Sequence, residues 1–588
     1  MSDVSASPND QAAVSKSLSS LSSICQSSTA YLILTVVLCL FALAPLFYPG
    51  YIQTHSCFVL LWNVADLRAN LGNLAWLPHV ATQFDPLRSD GLWPFYLASL
   101  LPFEPATAIK GVMELGWLLG SLGMFCWLKK WLGSSGALLA ALVYTYMPHQ
   151  INAVYVRGAW GEAFFLGLLP WAVLVSESLG RRAGQLNRSS TILISVLAVF
   201  LWLILGLSQL GLTLWAFIFV VLLCWLTQRR QALWSILANS GGLVLAVMIT
   251  LSIFASSPQS DASLWDASPP PLSSPTTFSN HFLYPFQLFS AAWGFGSSRP
   301  GWNDGLSFQL GLAAVGLTFL TLFLWPRRPG ASSNGPGRRL VFLSGAAIVF
   351  VLLQFSFTQP LWSLPLFPSY TLASTLTYPW QLLGLAGFCL AVLAGASLWL
   401  DEQLARLPLF SSIIILVILS SYPYLLPQFI QIEPELKRGP QAILGADQVA
   451  LLTHNFTVEI NGNTAGLERG PAAIPLVAHG PLQAGEVVRL HVTWQALQTI
   501  TEDWKVFVHL VDANGQVLAQ FDGQPREGAY PTSRWTPGEL IKDSYPLLMP
   551  ATAPLGPYRV FVGFYNEVTG ARLPVPGDPE GRVMLNVQ

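Results

Sequence analysis

The sequence predicts a polytopic α-helical membrane protein ending in an all-β domain, and three observations predict it. Charged residues fill only 10% of 588 positions against 53% hydrophobic ones, whereas a soluble domain carries about 25% charged residues. Apolar runs recur between residues 30 and 426, at lengths near the ~20 residues that cross a bilayer. Beyond residue 426, valines alternate with polar residues in short runs, which is the period of a half-buried strand.

Taken in order, Met1–Thr29 is Ser-rich and mixed in charge. It lacks the compact basic region of a signal peptide, and no small-residue cleavage site follows the next apolar run. A disordered cytoplasmic tail (1–29) and an uncleaved first span are therefore expected. The apolar runs give about eleven spans, at 30–48, 107–128, 136–153, 162–179, 190–207, 211–227, 232–255, 306–325, 340–357, 378–400 and 409–426. Lys129-Lys130, Arg181-Arg182-Arg188, Arg229-Arg230, Arg327-Arg328-Arg338-Arg339 and Arg406 fall on alternate connections. The positive-inside rule puts those connections and the N-terminus in the cytoplasm, and the chain after Leu426 outside. The long connections 49–106 and 256–305 then face outward, where binding and chemistry gather on a helical scaffold. Loop 49–106 has enough apolar residues for two short interfacial helices, and 256–275 is Ser/Pro-rich. Residues 427–445 read as a linker, and 446–588 as an extracytoplasmic β-sandwich of seven or eight strands. Its clearest strands are Val487–Gln495, Lys505–Val511 and Tyr558–Tyr565, separated by turn sequences such as Asp512-Ala513-Asn514-Gly515.

Composition also excludes. A net charge of −1 argues against a nucleic-acid partner, because phosphate backbones recruit strongly basic faces. The six cysteines lie at Cys25, Cys39, Cys57, Cys126, Cys224 and Cys389 and offer neither a disulfide framework nor a CxxC metal knuckle. No GxxxxGK[ST] loop or nucleophile elbow is present. No cofactor is expected; a divalent cation stays open without a motif behind it.

The segment Tyr155-Val156-Arg157-Gly158-Ala159-Trp160-Gly161-Glu162 puts two charges and two glycines where the chain leaves the membrane. Charges there face a cavity or a partner, and a helix N-terminus offers free N–H groups to an anion. Two readings stand: Arg157, Gly158 and Glu162 grip an anionic ligand, or Arg157 and Glu162 clamp a helix turn. Asp66, Asp85 and Asp90 in the first long loop are the candidate general bases, although Asp85-Pro86 and Ser89-Asp90-Gly91 are also ordinary turn sequences. His55, His79, His149 and His281 could each donate to a phosphate, and their spacing matches no zinc pattern. Asp304 joins them as a candidate binding residue. Lys110 and Glu114 stand four apart on one helical face and read as a structural pair as readily as a functional one.

The runs "GSLGMFCWLKKWLGSSGALLAALVYTYMPHQINAVYVRGAWGEAFFLGLLPW", "FLYPFQLFSAAWGFGSSRPGWNDGLSFQLG" and "YPWQLLGLAGF" resemble bacterial multi-pass membrane proteins labelled 6-pyruvoyl-tetrahydropterin-synthase-related. The label is not literal, since nothing here resembles the zinc-dependent synthase. That family is similar in architecture to the GT-C glycosyltransferases. The resemblance therefore implies a bacterial plasma-membrane enzyme that takes a sugar from a polyprenyl-phosphate carrier on the outer face. Its implied partners are a lipid-linked sugar donor, membrane lipids and a glycan, lipid or protein acceptor. The runs "QPREGAYPTSRWTPGELIKDSYPLLMP" and "PLGPYRVFVGFYNEVTGARLPV" resemble a β-sandwich appended to membrane glycosyltransferases of Chloroflexi-type bacteria. Under this resemblance His55 and Arg157 hold the phosphate and Asp85 or Asp90 activates the acceptor. The chain also departs from the pattern: His-Asp becomes His55-Ser56, "WxPD" reads Trp76-Leu77-Pro78-His79, "LSHN" reads Leu207-Ser208-Gln209-Leu210, and "PWR" reads Pro379-Trp380-Gln381. The position expected to carry the base is thus Ser56. Either a neighbouring aspartate acts instead, or the protein is a non-catalytic lipid- or glycan-binding scaffold; a transporter is a third reading, without the internal symmetry it would carry.

Overall fold

The computed structural model describes residues 28–73, 75–82, 84–182, 188–228, 232–256, 278–327, 335–367, 370–445, 448–460, 472–475, 485–551 and 558–586. Nearly all of the expected tail 1–29, and the Ser/Pro-rich stretch from 257 onward, lie outside the described residues.

The helices are α1 (Ser28–Phe47), α2 (Cys57–Ala69), α3 (Leu92–Leu100), α4 (Pro105–Thr145), α5 (Pro148–Asn152), α6 (Trp160–Arg182), α7 (Arg188–Ser208), α8 (Leu210–Gln228), α9 (Ala232–Ala255), α10 (Leu312–Leu324), α11 (Gly335–Leu352), α12 (Leu383–Leu400) and α13 (Leu407–Ser421). Eight of them, α1, α4, α6, α7, α8, α9, α12 with the turn before it, and α13, are long and apolar enough to cross a membrane. Helix α4 runs for 41 residues but breaks at Gly133 (φ 75°, ψ 175°). Its halves fold back on each other: Trp117 Nε1 donates to the Thr145 carbonyl at 3.0 Å. In a straight helix those two residues would stand about 42 Å apart. The hairpin accounts for two of the spans read in sequence, and each of the remaining nine runs forms a helix of its own, with α10 and α11 the shorter ones. The protein is a multi-pass membrane protein.

Helix α12 forms the centre of the bundle and is almost wholly buried. The peripheral helices α7 and α9 instead expose Ile192, Leu193, Val196, Trp234 and Leu237, an apolar belt suited to lipid and costly in water. At the end of the bundle near the paired arginines, the buried Glu177 carboxylate holds Arg339 at 3.2 Å and ties α6 to α11.

The first long loop contains two short helices, α2 and α3. Between them Asp85 closes a turn, accepting from the Leu87 and Arg88 N–H groups. The strands are β1 (Tyr51–Ile52), β2 (Pro365–Phe367), β3 (Tyr370–Thr371), β4 (Phe429–Ile430), β5 (Ala442–Leu444), β6 (Val449–Ile460), β7 (Ala472–Pro475), β8 (Val487–Ala496), β9 (Lys505–Val511), β10 (Val517–Gly523), β11 (Leu540–Leu548), β12 (Arg559–Tyr565) and β13 (Val583–Asn586). The C-terminal region stacks two antiparallel sheets, β10-β9-β12-β13 and β11-β8-β6-β5, with β7 paired to β6. Trp494, Trp535, Tyr545 and Phe564 fill the space between them.

The segment read as a linker takes part in structure. Tyr51↔Ile430 and Ile52↔Phe429 pair β1 with β4, the Trp62 indole donates to Leu436 O at 2.8 Å, and Ala442–Leu444 becomes a sheet strand. Alternation could not reveal a two-residue pairing or a three-residue edge strand. Ala450 and Leu452 of β6 are buried in the same apolar cluster as the helices, so the sandwich packs directly on the bundle.

Candidate functional site

The corner singled out in sequence folds as a π-helical turn, Ala153–Arg157, stopped by Gly158 in the left-handed region (φ 66°). There a side chain would be strained, and a Cβ at Gly158 would meet Thr54 Oγ1 at 2.3 Å. That closeness lets the first long loop lie against the corner: His55 N donates to Val156 O at 2.9 Å and Ser56 N to Arg157 O at 3.2 Å. Helix α6 starts immediately afterwards, at Trp160.

Arg157 donates from its two terminal nitrogens to the two oxygens of Glu162, each at 2.9 Å. Its Nε reaches Asn152 Oδ1 at 3.3 Å. Glu162 is also bonded to His149 Nε2 at 2.6 Å and is 1% exposed. The guanidinium stands 4.9 Å from the Trp380 ring centre, Trp380 stacks on Tyr378 at 4.9 Å and 10°, and Tyr378 meets His281 edge-on at 4.7 Å. The clamp reading thus describes the observed bonds. A guanidinium has five N–H donors, so two still point elsewhere.

Asp90 is fixed from two sides. The N–H groups of Gly161 and Glu162, in the first turn of α6, bond its carboxylate, an N-cap supplied from a distant loop. Its neighbour Gly91 donates to Ser208 O at 2.8 Å, and Gly211 donates to Leu87 O at 3.1 Å, wedging 87–91 into the break between α7 and α8. Asp90 keeps partial access to solvent through a cavity, while protein encloses it elsewhere. That enclosure, reinforced by the Glu162 charge, raises its carboxyl from the ordinary 3.8 to about 7, against the opposing pull of Arg157 and the two N–H groups.

The cavity, about 300 Å³, is lined by His55, Ser56, Arg88, Asp90, Arg157 and Glu162 together with Gln209, Ser297, Ser298, Thr377, Tyr378, Trp380 and Gln381. Burial, helped by the Arg157 charge, lowers the His55 imidazole to about 4 although its bond to Phe295 O works the other way, so the ring is neutral near pH 7. Arg88 bonds Ser374 O through Nε at 3.3 Å, and among the described residues nothing accepts from its two terminal nitrogens. Three buried polar atoms on the lining, Gln209 Oε1, Ser297 Oγ and Trp380 Nε1, also have no protein partner among the described residues.

Of the residues named from sequence, His55, Asp90, Arg157 and Glu162 line this cavity, and Gly158 supports its wall. His281 and Asp304 stand one layer behind: His281 Nδ1 bonds the Ser298 hydroxyl at 2.9 Å. Asp304 accepts from Gln287 at 2.7 Å and from Arg299 N at 2.7 Å. Asp66, His79 and Asp85 lie outside the lining. Asp66 accepts from the Trp76 indole at 2.7 Å and faces His79 at 3.8 Å, and Asp85 holds its turn with Arg88 at 4.0 Å. Gln209 and Gln381 had shown in sequence only as departures from a pattern. Arg88 and the lining residues Leu497, Gln498, Thr499 and Pro537 give no signal in the sequence. Among the described residues, no cluster of three or more His, Cys, Asp or Glu could hold a metal ion.

No protein-family model matches the chain, and no curated protein matches it. Among solved structures, the chain is similar to the cryo-EM structure of the arabinosyltransferase EmbB from Mycobacterium smegmatis, at 11% identity and a TM-score of 0.28. That alignment covers 96% of this chain and 65% of the EmbB chain. A likeness of that size supports no conclusion about activity, which rests on the cavity itself.

Proposed function

We propose that this protein is a membrane glycosyltransferase that moves a sugar from a polyprenyl-phosphate carrier to a hydroxyl-bearing acceptor, in a cavity on the outer face. The observation that carries the reading is Asp90: a fixed, partly enclosed carboxylate on a polar cavity wall, with its carboxyl raised to about 7. A general base works best with a pKa near the operating pH. Two of its lone-pair positions are taken by Gly161 and Glu162 N–H, and a carboxylate has about four, so it can still accept a proton from an acceptor hydroxyl.

In this mechanism the acceptor oxygen, deprotonated by Asp90, attacks the anomeric carbon. The bond from that carbon to the carrier phosphate breaks, and the phosphate leaves with the electron pair. Arg88, paired among the described residues only through its Nε side with Asp85 and Ser374 O, turns its terminal nitrogens to the departing charge, and Arg157 adds the two N–H donors that Glu162 and Asn152 leave unused. Neutral His55 contributes hydrogen bonding without charge. The amide and hydroxyl groups of Gln209, Ser297 and Gln381 suit sugar hydroxyls, and the orphaned atoms among them gain partners when a sugar binds.

The placement of the cavity outside the cell, with the N-terminus in the cytoplasm, belongs to the same proposal and rests on the basic connections. The test is release of polyprenyl phosphate from a lipid-linked donor by purified protein in nanodiscs, with a glycosylated product. Donor that copurifies and stays intact with every acceptor offered sinks the transferase. That outcome favours the scaffold, a reading encouraged by Ser56 and by the mutual neutralisation of Arg157 and Glu162.

A further inference from the structure

The cavity is not made by the membrane domain alone. Leu497, Gln498 and Thr499, which follow β8, and Pro537, which precedes β11, line it beside His55 and Asp90. They belong to the sandwich, yet they are fixed against the bundle. Gly538, at φ 80°, lies so near the first long loop that a Cβ there would sit 2.0 Å from Thr54 O and 3.1 Å from His55 Cα. Its N–H donates to Ala496 O at 2.8 Å, and the Gln495 amide reaches its carbonyl at 3.4 Å. Leu497 N donates to Gln448 O at 2.9 Å, and the Leu497 side chain packs on the apolar cluster of the bundle. The segment 497–499 is therefore held in place before any ligand arrives.

The two sides of the cavity differ in chemistry. Every ionisable lining group, His55, Arg88, Asp90, Arg157, Tyr378 and Glu162, comes from the membrane domain, whereas the sandwich supplies an amide, a hydroxyl and two apolar residues. Charged groups suit proton transfer and a phosphate. Neutral donors and acceptors suit a neutral polyol, and a site built to bond a hydroxyl rejects an analogue that lacks it.

We infer that Leu497–Thr499 is the acceptor-selecting wall of the cavity, with Gln498 and Thr499 hydrogen-bonded to the hydroxyls of a saccharide seated beside Asp90. The inference rests on the transferase reading for the name "acceptor", and its binding content stands apart from turnover.

The test uses the full chain in nanodiscs. Its probes are a panel of methyl glycosides with their epimers and single-deoxy analogues, and binding is read by saturation-transfer NMR. Gln498→Ala and Thr499→Val should each weaken the best glycoside about tenfold, the worth of one net hydrogen bond of ~1.4 kcal/mol. They should also erase its preference over one deoxy analogue. Gly538→Val, which pushes the wall away, should do both. Unchanged affinity and rank order in Gln498→Ala and Thr499→Val overturn the inference, and so does a wild-type protein that binds no glycoside in the panel. Wall-dependent binding without any transfer retains the wall and removes the transferase. Transfer with unaltered acceptor choice in Gln498→Ala does the reverse.

Discussion

Replacing Asp90 by asparagine keeps the shape of the side chain and an oxygen that can accept from Gly161 and Glu162 N–H, but removes the titrating carboxyl. Two quantities should then move in opposite directions. Loss of a general base lowers turnover by about 10²–10⁴-fold, equivalent to ~3–5 kcal/mol in the barrier. Stability should not fall with it. The Asp90 carboxyl is raised to about 7 in the folded chain from an ordinary 3.8, so between those values the folded state keeps a proton that the unfolded state releases. Wild-type stability therefore declines as pH rises through roughly 4 to 7 and is level above that. The full decline is at most about 4 kcal/mol, because the shift is about three pK units and Asp90 retains some solvent contact. Turnover against pH from 5 to 9 should rise about tenfold per unit below 7 and then flatten, since the base acts only when deprotonated. Thermal unfolding of both proteins at pH 5 and pH 8 completes the assay, with Asp90→Asn matching or exceeding wild type at pH 8. Full turnover in the variant would falsify the assignment of the base. A variant that melts well below wild type at pH 8 would show that the carboxylate is chiefly a helix cap.

The other perturbations concern the same corner. Glu162→Gln leaves the Arg157 charge enclosed without its counter-charge, and breaking one partner of a buried pair costs about 3–5 kcal/mol. A large drop in melting temperature is expected, and an unchanged one means that Arg157 finds solvent. Gly158→Ala should destabilise by at least ~1–2 kcal/mol from the left-handed backbone alone, with further loss from the contact at Thr54. Pairing it with Thr54→Ala should recover part of that loss, and no recovery in thermal unfolding rules the contact out as a cause. Arg88→Gln should weaken binding of a phosphate-bearing donor about tenfold or more and reduce the salt dependence of binding, since a charge-assisted contact is worth ~1.5–3 kcal/mol. Equal donor affinity at low and high salt in both proteins would remove Arg88 from phosphate recognition.

What was legible in the sequence follows from the length of each signal. Runs of about 20 apolar residues and strands such as Lys505–Val511 repeat their pattern often enough to be read one by one. The two α4 spans were separable because Lys129-Lys130 and Gly133 interrupt the hydrophobicity. The candidate site was half legible. Arg157 and Glu162 stand out because charge is rare in this chain, yet their bidentate bond depends on a π-helical turn that no composition encodes. Asp66, Asp85 and Asp90 looked equivalent as loop carboxylates. Only the tertiary fold distinguishes them, by giving Asp66 an indole, Asp85 its own turn and Asp90 the first turn of a helix 70 residues further on. Gln498 and Thr499 were invisible because the residues after a strand read as a polar turn wherever they end up.

The contact of Gly538 with Thr54 has a consequence for how this chain can be taken apart. A cut between residues 427 and 445 looks safe on the page of the sequence, but it would leave His55 without the backbone that backs it, and a cut ahead of Phe429 would also strip β1 of its partner β4. The unit that can be exchanged between relatives is not the sandwich. It is the sandwich together with residues 51–56, two stretches nearly 400 positions apart, and a chimera that transplants one without the other should arrive with its cavity open on one side.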